Sequence, residues 1–152
     1  MDHYVSDPIP LPPRDDNQEI TRADLVFYGV GHRGPSYEGR IFFNAPDAGP
    51  TTPMELDAGY AGSFTVFGHG GCYGDVGHCD VPTEPTDAFD LRPPHPLTPY
   101  NLSVVVTDAL KRVEGDQVRV TVVPVVPGDE QPEAADVLEF DDVRLVSYED
   151  SA

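Results

Sequence analysis

Two histidines and two cysteines fall within eleven residues of one glycine-rich segment: His69, Cys72, His78 and Cys79. The glycines around them allow the backbone to turn tightly enough to bring the four side chains together. Two imidazoles and two thiolates in a tetrahedron suit Zn²⁺, and soft thiolates also suit Cu(I). These four residues are therefore a candidate site for copper or zinc.

The two cysteines allow two other interpretations. A disulfide between Cys72 and Cys79 would close a short loop and stabilise the fold by about 2–3 kcal/mol, although a reducing cytosol disfavours it. Alternatively, both thiols are chemically inert and partly buried. Neighbouring side chains diverge from the backbone, so joint coordination by His78 and Cys79 requires a kink. All three interpretations stay open at this point.

Two other histidines lie in predicted loops. His32 is in Gly31–Gly34, between two predicted strands, and we expect its ring to bond a backbone carbonyl. Its functional alternative is to face a partner's active site. His95 lies among prolines, which favours a rigid surface turn, with metal binding as the alternative.

The chain is strongly acidic, which excludes several classes of partner. Its 152 residues include 9 Lys and Arg against 27 Asp and Glu, a net charge of -18. Nucleic-acid binding depends on cationic side chains, and anionic membrane surfaces attract them. We therefore expect neither nucleic acid nor membrane as a partner.

The targeting signals that would indicate secretion or membrane insertion do not appear in the sequence. It contains no apolar run of the roughly 20 residues that cross a bilayer. Its first residues, MDHYVSDPIPLPPRDD, lack the features of a signal peptide. The expected location is the cytoplasm, unless a partner carries the chain across a membrane.

Glycine and proline shape the expected fold, because 14 Gly and 17 Pro leave little room for long helices. Residues 1–22 are predicted to form an extended, proline-rich tail, with Ile9 and Leu11 packed on the body. Residues 23–149 are predicted to form a compact, jelly-roll-like antiparallel β-sandwich with one short helix, at 107–113 and capped by Thr107. About seven strands are expected, at 25–30, 37–43, 60–67, 102–106, 118–123, 137–140 and 143–148, the last two joined as a hairpin.

Five short motifs follow one another along these strands. They are Arg40–Asn44, Tyr60–Phe64 (YAGSF), Val106–Leu110 (VTDAL), Val118–Pro124 (VRVTVVP) and Val143–Leu145. Their order and content resemble the C-terminal β-domain of type 3 copper proteins, which include plant polyphenol oxidases, tyrosinases and molluscan haemocyanins. The resemblance covers residues 24–147, except that the glycine-rich segment after YAGSF has no counterpart in the plant domain.

The resemblance implies an accessory domain. In that family the β-sandwich lies over a helical core and shields its dicopper site, which is built by six histidines. This chain has five, His3, His32, His69, His78 and His95, none of them in a predicted helix. We therefore expect a non-catalytic protein that docks on a tyrosinase-like oxidase core and shields its copper or assists copper loading.

Two other functions compete with this expectation. One is a small metal-binding protein that works through His69, Cys72, His78 and Cys79. The other is an enzyme that uses His32 or His95 with a carboxylate as acid and base.

Five phenylalanines also allow two interpretations. Their period-two spacing is typical of core residues, whereas the resemblance implies that one of them reaches into a partner's copper pocket. They are Phe27, Phe42, Phe43, Phe64 and Phe67.

Overall fold

The computed structural model describes residues 2–13, 19–70, 85, 87–89, 98–128 and 131–149. Within them lie nine strands: β1 (Tyr4–Val5), β2 (Ile9–Pro10), β3 (Ile20–Val30), β4 (Tyr37–Phe43), β5 (Tyr60–Val66), β6 (Tyr100–Val105), β7 (Gln117–Val118), β8 (Val120–Val125) and β9 (Asp142–Glu149). Short helices are α1 (Thr107–Lys111), α2 (Ala134–Val137) and a 3₁₀ turn at Leu56–Ala58. No helix in these ranges is both long and apolar enough to cross a bilayer.

The strands form three antiparallel sheets. One has the order β1-β8-β4-β5, one has the order β6-β3-β9, and β2 pairs with β7. Every recorded pairing is antiparallel. The predicted all-β sandwich is therefore confirmed.

The main core lies between the two larger sheets. In β3, Ala23, Leu25 and Phe27 are fully buried because alternate residues of a strand point to the same face. They belong to one apolar cluster with residues of the opposite sheet, namely Ile41, Phe64, Val66, Val120 and Val122. Burial of each large side chain stabilises the fold by about 1.5–3 kcal/mol.

β8 is buried on both of its faces. Val122 belongs to the main core, whereas Val123 packs with Phe42 and Ala48 in a second apolar cluster. That cluster lies on the outer face of the sheet and is covered by the segment that follows β4. This cover explains why the run from Val120 to Val123 is fully buried, instead of alternating between core and solvent.

Helix α1 begins at Thr107 as predicted, but it ends at Lys111, and Thr107 does not cap it. No side chain caps the helix, whose N-cap residue is Val106. The hydroxyl of Thr107 instead accepts a hydrogen bond from the Ala23 N–H, at 3.1 Å. Ala109 and Leu110 are buried, so apolar packing against the sandwich fixes the helix.

The predicted terminal hairpin is wrong. Ala134–Val137 forms the helical turn α2, and β9 pairs along its length with β3. Ala134 and Val137 are three residues apart and both buried, a spacing that a helical turn accommodates. Phe140, expected in a strand, packs its ring against Tyr4 and Phe27.

Within the proline-rich segment 1–22, two short strands attach the chain to the body. β1 pairs with β8, and β2 pairs with β7. Ile9 and Leu11 pack on the main core, as expected. β3 already begins at Ile20, while the division between tail and sandwich after residue 22 stays a prediction.

Candidate functional site

Two loops run side by side at one end of the sandwich. The first, residues 31–36, joins β3 to β4; the second, residues 67–70, follows β5. Backbone hydrogen bonds connect them, from the His69 N–H to the His32 carbonyl at 2.9 Å and from the Gly70 N–H to the Gly34 carbonyl at 2.7 Å. We call this end, with the nearby Thr98 and Tyr100, the histidine end.

Gly68 is required for this close approach. A Cβ atom at that position would overlap the backbone of Gly34 and Pro35. The Gly68 N–H also donates to the Ser36 hydroxyl, at 3.0 Å. Gly68, which belongs to the glycine-rich segment with the histidines and cysteines, is thus needed for the contact between the two loops.

His32 is buried and oriented by the backbone. Its Nε2 lies 3.0 Å from the carbonyl oxygen of Thr98, and only 8% of the residue is exposed. Because a carbonyl only accepts, Nε2 is the nitrogen that carries a proton. The expected bond from His32 to a carbonyl is confirmed.

His69 brings a second imidazole to the same place. The rings of His32 and His69 lie edge to face, with their centroids 5.2 Å apart. The ring of Tyr100 makes a separate edge-to-face contact with His32, also with the centroids 5.2 Å apart. The Nδ1 of His69 is 3.3 Å from the His32 carbonyl. Nothing in the sequence pattern indicated that His32, His69 and Tyr100 would meet, because two of them come from separate loops and Tyr100 begins strand β6.

The predicted metal set is only partly within the structure. His69 is described, whereas Cys72, His78 and Cys79 lie outside the described residues, as does His95. In the described ranges, no group of three or more His, Cys, Asp or Glu side chains is placed to hold a metal ion. The four-residue metal site and the Cys72–Cys79 disulfide both stay predictions.

A type 3 dicopper centre does not fit this chain. Such a centre takes six histidine ligands, and the whole sequence contains five. His32 and His69, which do meet, come from loops and not from a pair of helices. The given sequence alone therefore lacks the histidines that a dicopper centre requires.

A cavity of about 190 Å³ lies beside His32. One wall is the loop after β3, with Gly31, His32 and Pro35, followed by Tyr37; the other is residues 135–139, from α2 to Glu139. Tyr37 is 2% exposed, and its hydroxyl has no hydrogen-bond partner among the described residues. Burial raises the pKa of Tyr37 above its ordinary value of 10.0, and the nearby Tyr100 and Glu139 raise it further, so the phenol stays protonated into the alkaline range.

Phe67 differs from the other candidate phenylalanines in how much of it is exposed to solvent. Phe27, Phe42, Phe43 and Phe64 are buried, which confirms them as core residues. Phe67, directly after β5, is 79% exposed. Phe89 is also exposed, in a part of the chain of which only residues 85 and 87–89 are described.

Comparison with known proteins gives one structural likeness. No protein-family model and no curated protein matches the chain. The fold is similar to that of a solved structure, "Latent aurone synthase (polyphenol oxidase) from natural source", with a TM-score of 0.55 and 14% identity. The match covers 97% of this chain but only 25% of that one. The resemblance to the polyphenol oxidases is therefore confirmed at the level of the fold, and the chain spans about a quarter of the protein it matches.

Proposed function

We propose that this chain is a non-catalytic accessory domain that docks on a tyrosinase-like oxidase core and shields the dicopper site of that core. The observation that carries the proposal is the extent of the fold match, nearly all of this chain against a quarter of a polyphenol oxidase. The chain then corresponds to one portion of such an enzyme, and a core of another fold supplies the copper ligands. Its five histidines, one short of a dicopper centre, support a role without phenol oxidation.

The histidine end is the surface that docks in this proposal. Phe67 presents an exposed ring there, and the next residue, Gly68, is hydrogen-bonded through its N–H to the Ser36 hydroxyl of the neighbouring loop. Large aromatic side chains are among the residues that contribute most to binding energy at protein interfaces. The net charge of -18 favours a core whose docking surface is basic, since complementary charge speeds association.

Binding to a tyrosinase-like core encoded beside this chain tests the proposal. The wild-type protein should bind the core and lower its rate of phenol oxidation. Phe67→Ala should weaken binding by roughly tenfold or more, as loss of an aromatic anchor does. Tyr148→Ala is the matched control, because Tyr148 is an exposed aromatic residue on β9 that pairs with Arg22, far along β3 from the histidine end.

Three results would contradict the proposal. They are failure to bind such a core, binding with no effect on phenol oxidation, and equal losses for Phe67→Ala and Tyr148→Ala. Phenol turnover by the isolated, copper-treated polypeptide would contradict the non-catalytic role.

A second candidate function is copper or zinc binding, through the segment that begins at His69. The contact between His69 and His32 favours it, because a further imidazole lies beside the first residue of the predicted set. Elemental analysis after expression with copper and zinc is the test. Metal should be present in the wild type and lost when Cys72 and Cys79 are replaced by Ser; metal retained after that replacement would contradict the predicted ligand set.

A further inference from the structure

Strand β9 forms an open edge of the three-stranded sheet. It runs from Asp142 to Glu149 and pairs on one side with β3. In the part of the chain that the structure describes, no strand pairs with its other side. β9 contains no proline or glycine, and its centre, from Leu145 to Ser147, carries no charge. It therefore lacks the prolines and central charges that usually protect an edge strand from pairing.

The opposite edge of this sheet is covered. β6 lies beside β5 of the other sheet, where a Cβ atom at Gly62 would be 2.9 Å from the Val104 side chain and 3.7 Å from the Val105 carbonyl oxygen. β5 and β6 therefore shield each other's edges. β1, at the far edge of the four-stranded sheet, has only two residues. Within the described ranges, β9 is thus the long edge that stays available for pairing.

The hydrogen bonds of β9 show which of its backbone groups face outward. The Tyr148 carbonyl accepts a hydrogen bond from the Thr21 hydroxyl of β3, at 3.1 Å, so it points toward β3. The Val143 N–H instead donates to the carboxylate of the preceding residue, at 2.9 Å. Successive residues of an antiparallel strand direct their backbone groups to alternate sides. The N–H and C=O groups of Leu145 and Ser147 therefore point away from β3.

We infer that β9 pairs with β9 of a second copy of this chain, antiparallel and about a two-fold axis. The pairing would join the three-stranded sheets of the two copies into one continuous sheet. A two-fold contact uses the same surface on both subunits, so the strand must complement itself. This inference goes beyond the proposed docking function and does not depend on it.

The Val143 N–H selects the register of the pairing. A register centred on Leu145 would need that N–H as a donor, but the Asp142 carboxylate already accepts from it. A register centred on Val146 uses the backbone groups of Leu145 and Ser147 instead, each residue opposite the other one in the second copy. Each copy then donates at both residues and accepts at both, so all the outward groups at the centre of the strand are paired.

The side chains on the outer face of the sheet match in this register. Arg144 lies opposite Tyr148 of the second copy, and Val146 lies opposite its own counterpart. A guanidinium is attracted to the face of an aromatic ring, as Arg144 already is to the Tyr28 ring, 5.3 Å from its centroid. The Tyr148 ring is exposed and accessible to such a contact. This complementarity between cation and ring, made twice by symmetry, favours a second copy as the occupant of the edge.

The contact should be weak and sensitive to salt. One strand from each copy buries less surface than the roughly 1,200–2,000 Å² of a stable interface, so we expect a dissociation constant on the order of 0.1 mM. The net charge of -18 on each copy opposes association. Raising KCl from about 10 mM to about 500 mM should therefore tighten the dimer by at least about threefold.

Sedimentation velocity and amide NMR on the full chain test the pairing. Between about 10 µM and about 1 mM, on either side of the expected constant, sedimentation should show a monomer–dimer equilibrium. The amide signals of Leu145 and Ser147 should shift with concentration, because their N–H groups gain acceptors. The amides of Arg144 and Val146, which point toward β3, should shift less. This two-residue period distinguishes strand pairing from any other contact between copies.

A matched pair of variants identifies the edge. Val146 on β9 and Val105 on β6 lie in the same sheet, and both are register partners of Asp24. Val146→Lys should weaken the dimer by at least about fivefold, because two lysines would then face each other across the two-fold axis. Val105→Lys makes the same charge change beside the same carboxylate, on the covered edge, and should leave association unchanged.

Any of four results would overturn the inference. The first is a monomer at about 1 mM protein in about 500 mM KCl. The second is an equal dissociation constant for Val146→Lys and Val105→Lys. The third is a set of concentration-dependent shifts without the alternation between neighbouring amides of β9. The fourth is a shift of the Leu145 and Ser147 amides that appears only with a tyrosinase-like core, which would assign this edge to the core.

Discussion

At the scale of single residues, the two histidines of the histidine end are oriented by backbone hydrogen bonds. His32 is oriented by Thr98, and His69 is held against His32 by the loop backbone. Tyr37, five residues after His32, is the buried phenol of the same end. The sequence identified His32 and His69 as candidates, but Tyr37 looked like one more core residue of a strand.

Tyr37 should make the fold sensitive to alkali. Its pKa is raised above the usual value of 10.0 in the folded chain, so stability is fully present below about pH 10 and is lost as pH rises further. Above that value the unfolded chain releases the Tyr37 proton while the folded chain retains it. We expect Tyr37→Phe to reduce the alkaline loss of unfolding free energy, by up to about 1.4 kcal/mol per pH unit.

Urea denaturation at steps between about pH 9 and pH 11 measures this slope. The other tyrosines contribute equally to both proteins, so the difference between the two slopes belongs to Tyr37. Parallel curves for wild type and Tyr37→Phe would contradict the prediction.

At the scale of elements, the contacts between connections matter as much as the strands. The loops 31–36 and 67–70 are joined by backbone bonds, and the segment before β3 is attached to two strands from the second half of the chain. These contacts place the candidate site and complete the core. Single substitutions at their closest points should therefore have large effects.

Gly68→Ala should separate the two loops of the histidine end. A methyl group there meets rigid backbone atoms of Gly34 and Pro35, so we expect a loss of about 2–3 kcal/mol in unfolding free energy. The NMR signals of the His32 and His69 rings should shift as their contact is disturbed. Gly49→Ala, where a Cβ atom meets nothing within 4 Å, is the control and should change stability by less than about 0.5 kcal/mol.

Ser6→Ala should loosen the attachment of the first strand. The Ser6 hydroxyl accepts a hydrogen bond from the buried Val120 N–H, at 3.0 Å. Without it, that N–H is left unpaired, at a cost of about 1–2 kcal/mol in chemical denaturation. Ser103→Ala, at an exposed position of β6, should leave the midpoint unchanged, and equal midpoints for all three proteins would show that the hydroxyl contributes nothing.

The elements differ in how far the sequence predicted them. β3, β4, β5, β6 and β8 could be predicted because their apolar residues recur with a strand's period and turn residues bound them. The strand prediction at Val137–Phe140 is wrong because the spacing of Val137, Leu138 and Phe140 also satisfies a helical turn followed by a short extended segment. Which strands pair depends on distant segments: β9 pairs with β3, which lies more than a hundred residues earlier in the chain.

The candidate site was harder to predict than the strands. The metal-ligand pattern was read from residues close in sequence, whereas the structure brings His69 to His32, which lies 37 residues away. No local spacing encodes such a contact, because it depends on how β4 and β5 pair. The cavity beside Tyr37 is likewise formed by segments that are far apart in the sequence.

At the scale of the whole molecule, electrostatic repulsion opposes the compact state. The net charge is -18 in 152 residues, and the described ion pairs, such as Lys111–Glu19 and Arg144–Asp142, lie largely at the surface. Exposed pairs contribute little to stability, so they do not offset the excess of carboxylates. The apolar core must therefore stabilise the fold against a general repulsion.

Added salt should stabilise this protein. Raising KCl from about 10 mM to about 500 mM shortens the screening length several-fold and weakens the repulsion. We expect a melting temperature higher by about 2–4 °C, equivalent to roughly 1 kcal/mol. Sucrose at equal osmolality controls for effects unrelated to charge, and a melting temperature that falls with KCl would contradict the expectation.

The pairing of Tyr4 with Val122 also bears on how the chain acquires its structure during synthesis. Tyr4 leaves the ribosome more than a hundred residues before Val122, its partner in the sheet. Until then, the proline-rich segment that holds β1 has no strand edge to join. Closure of the four-stranded sheet consequently waits for the synthesis of β8.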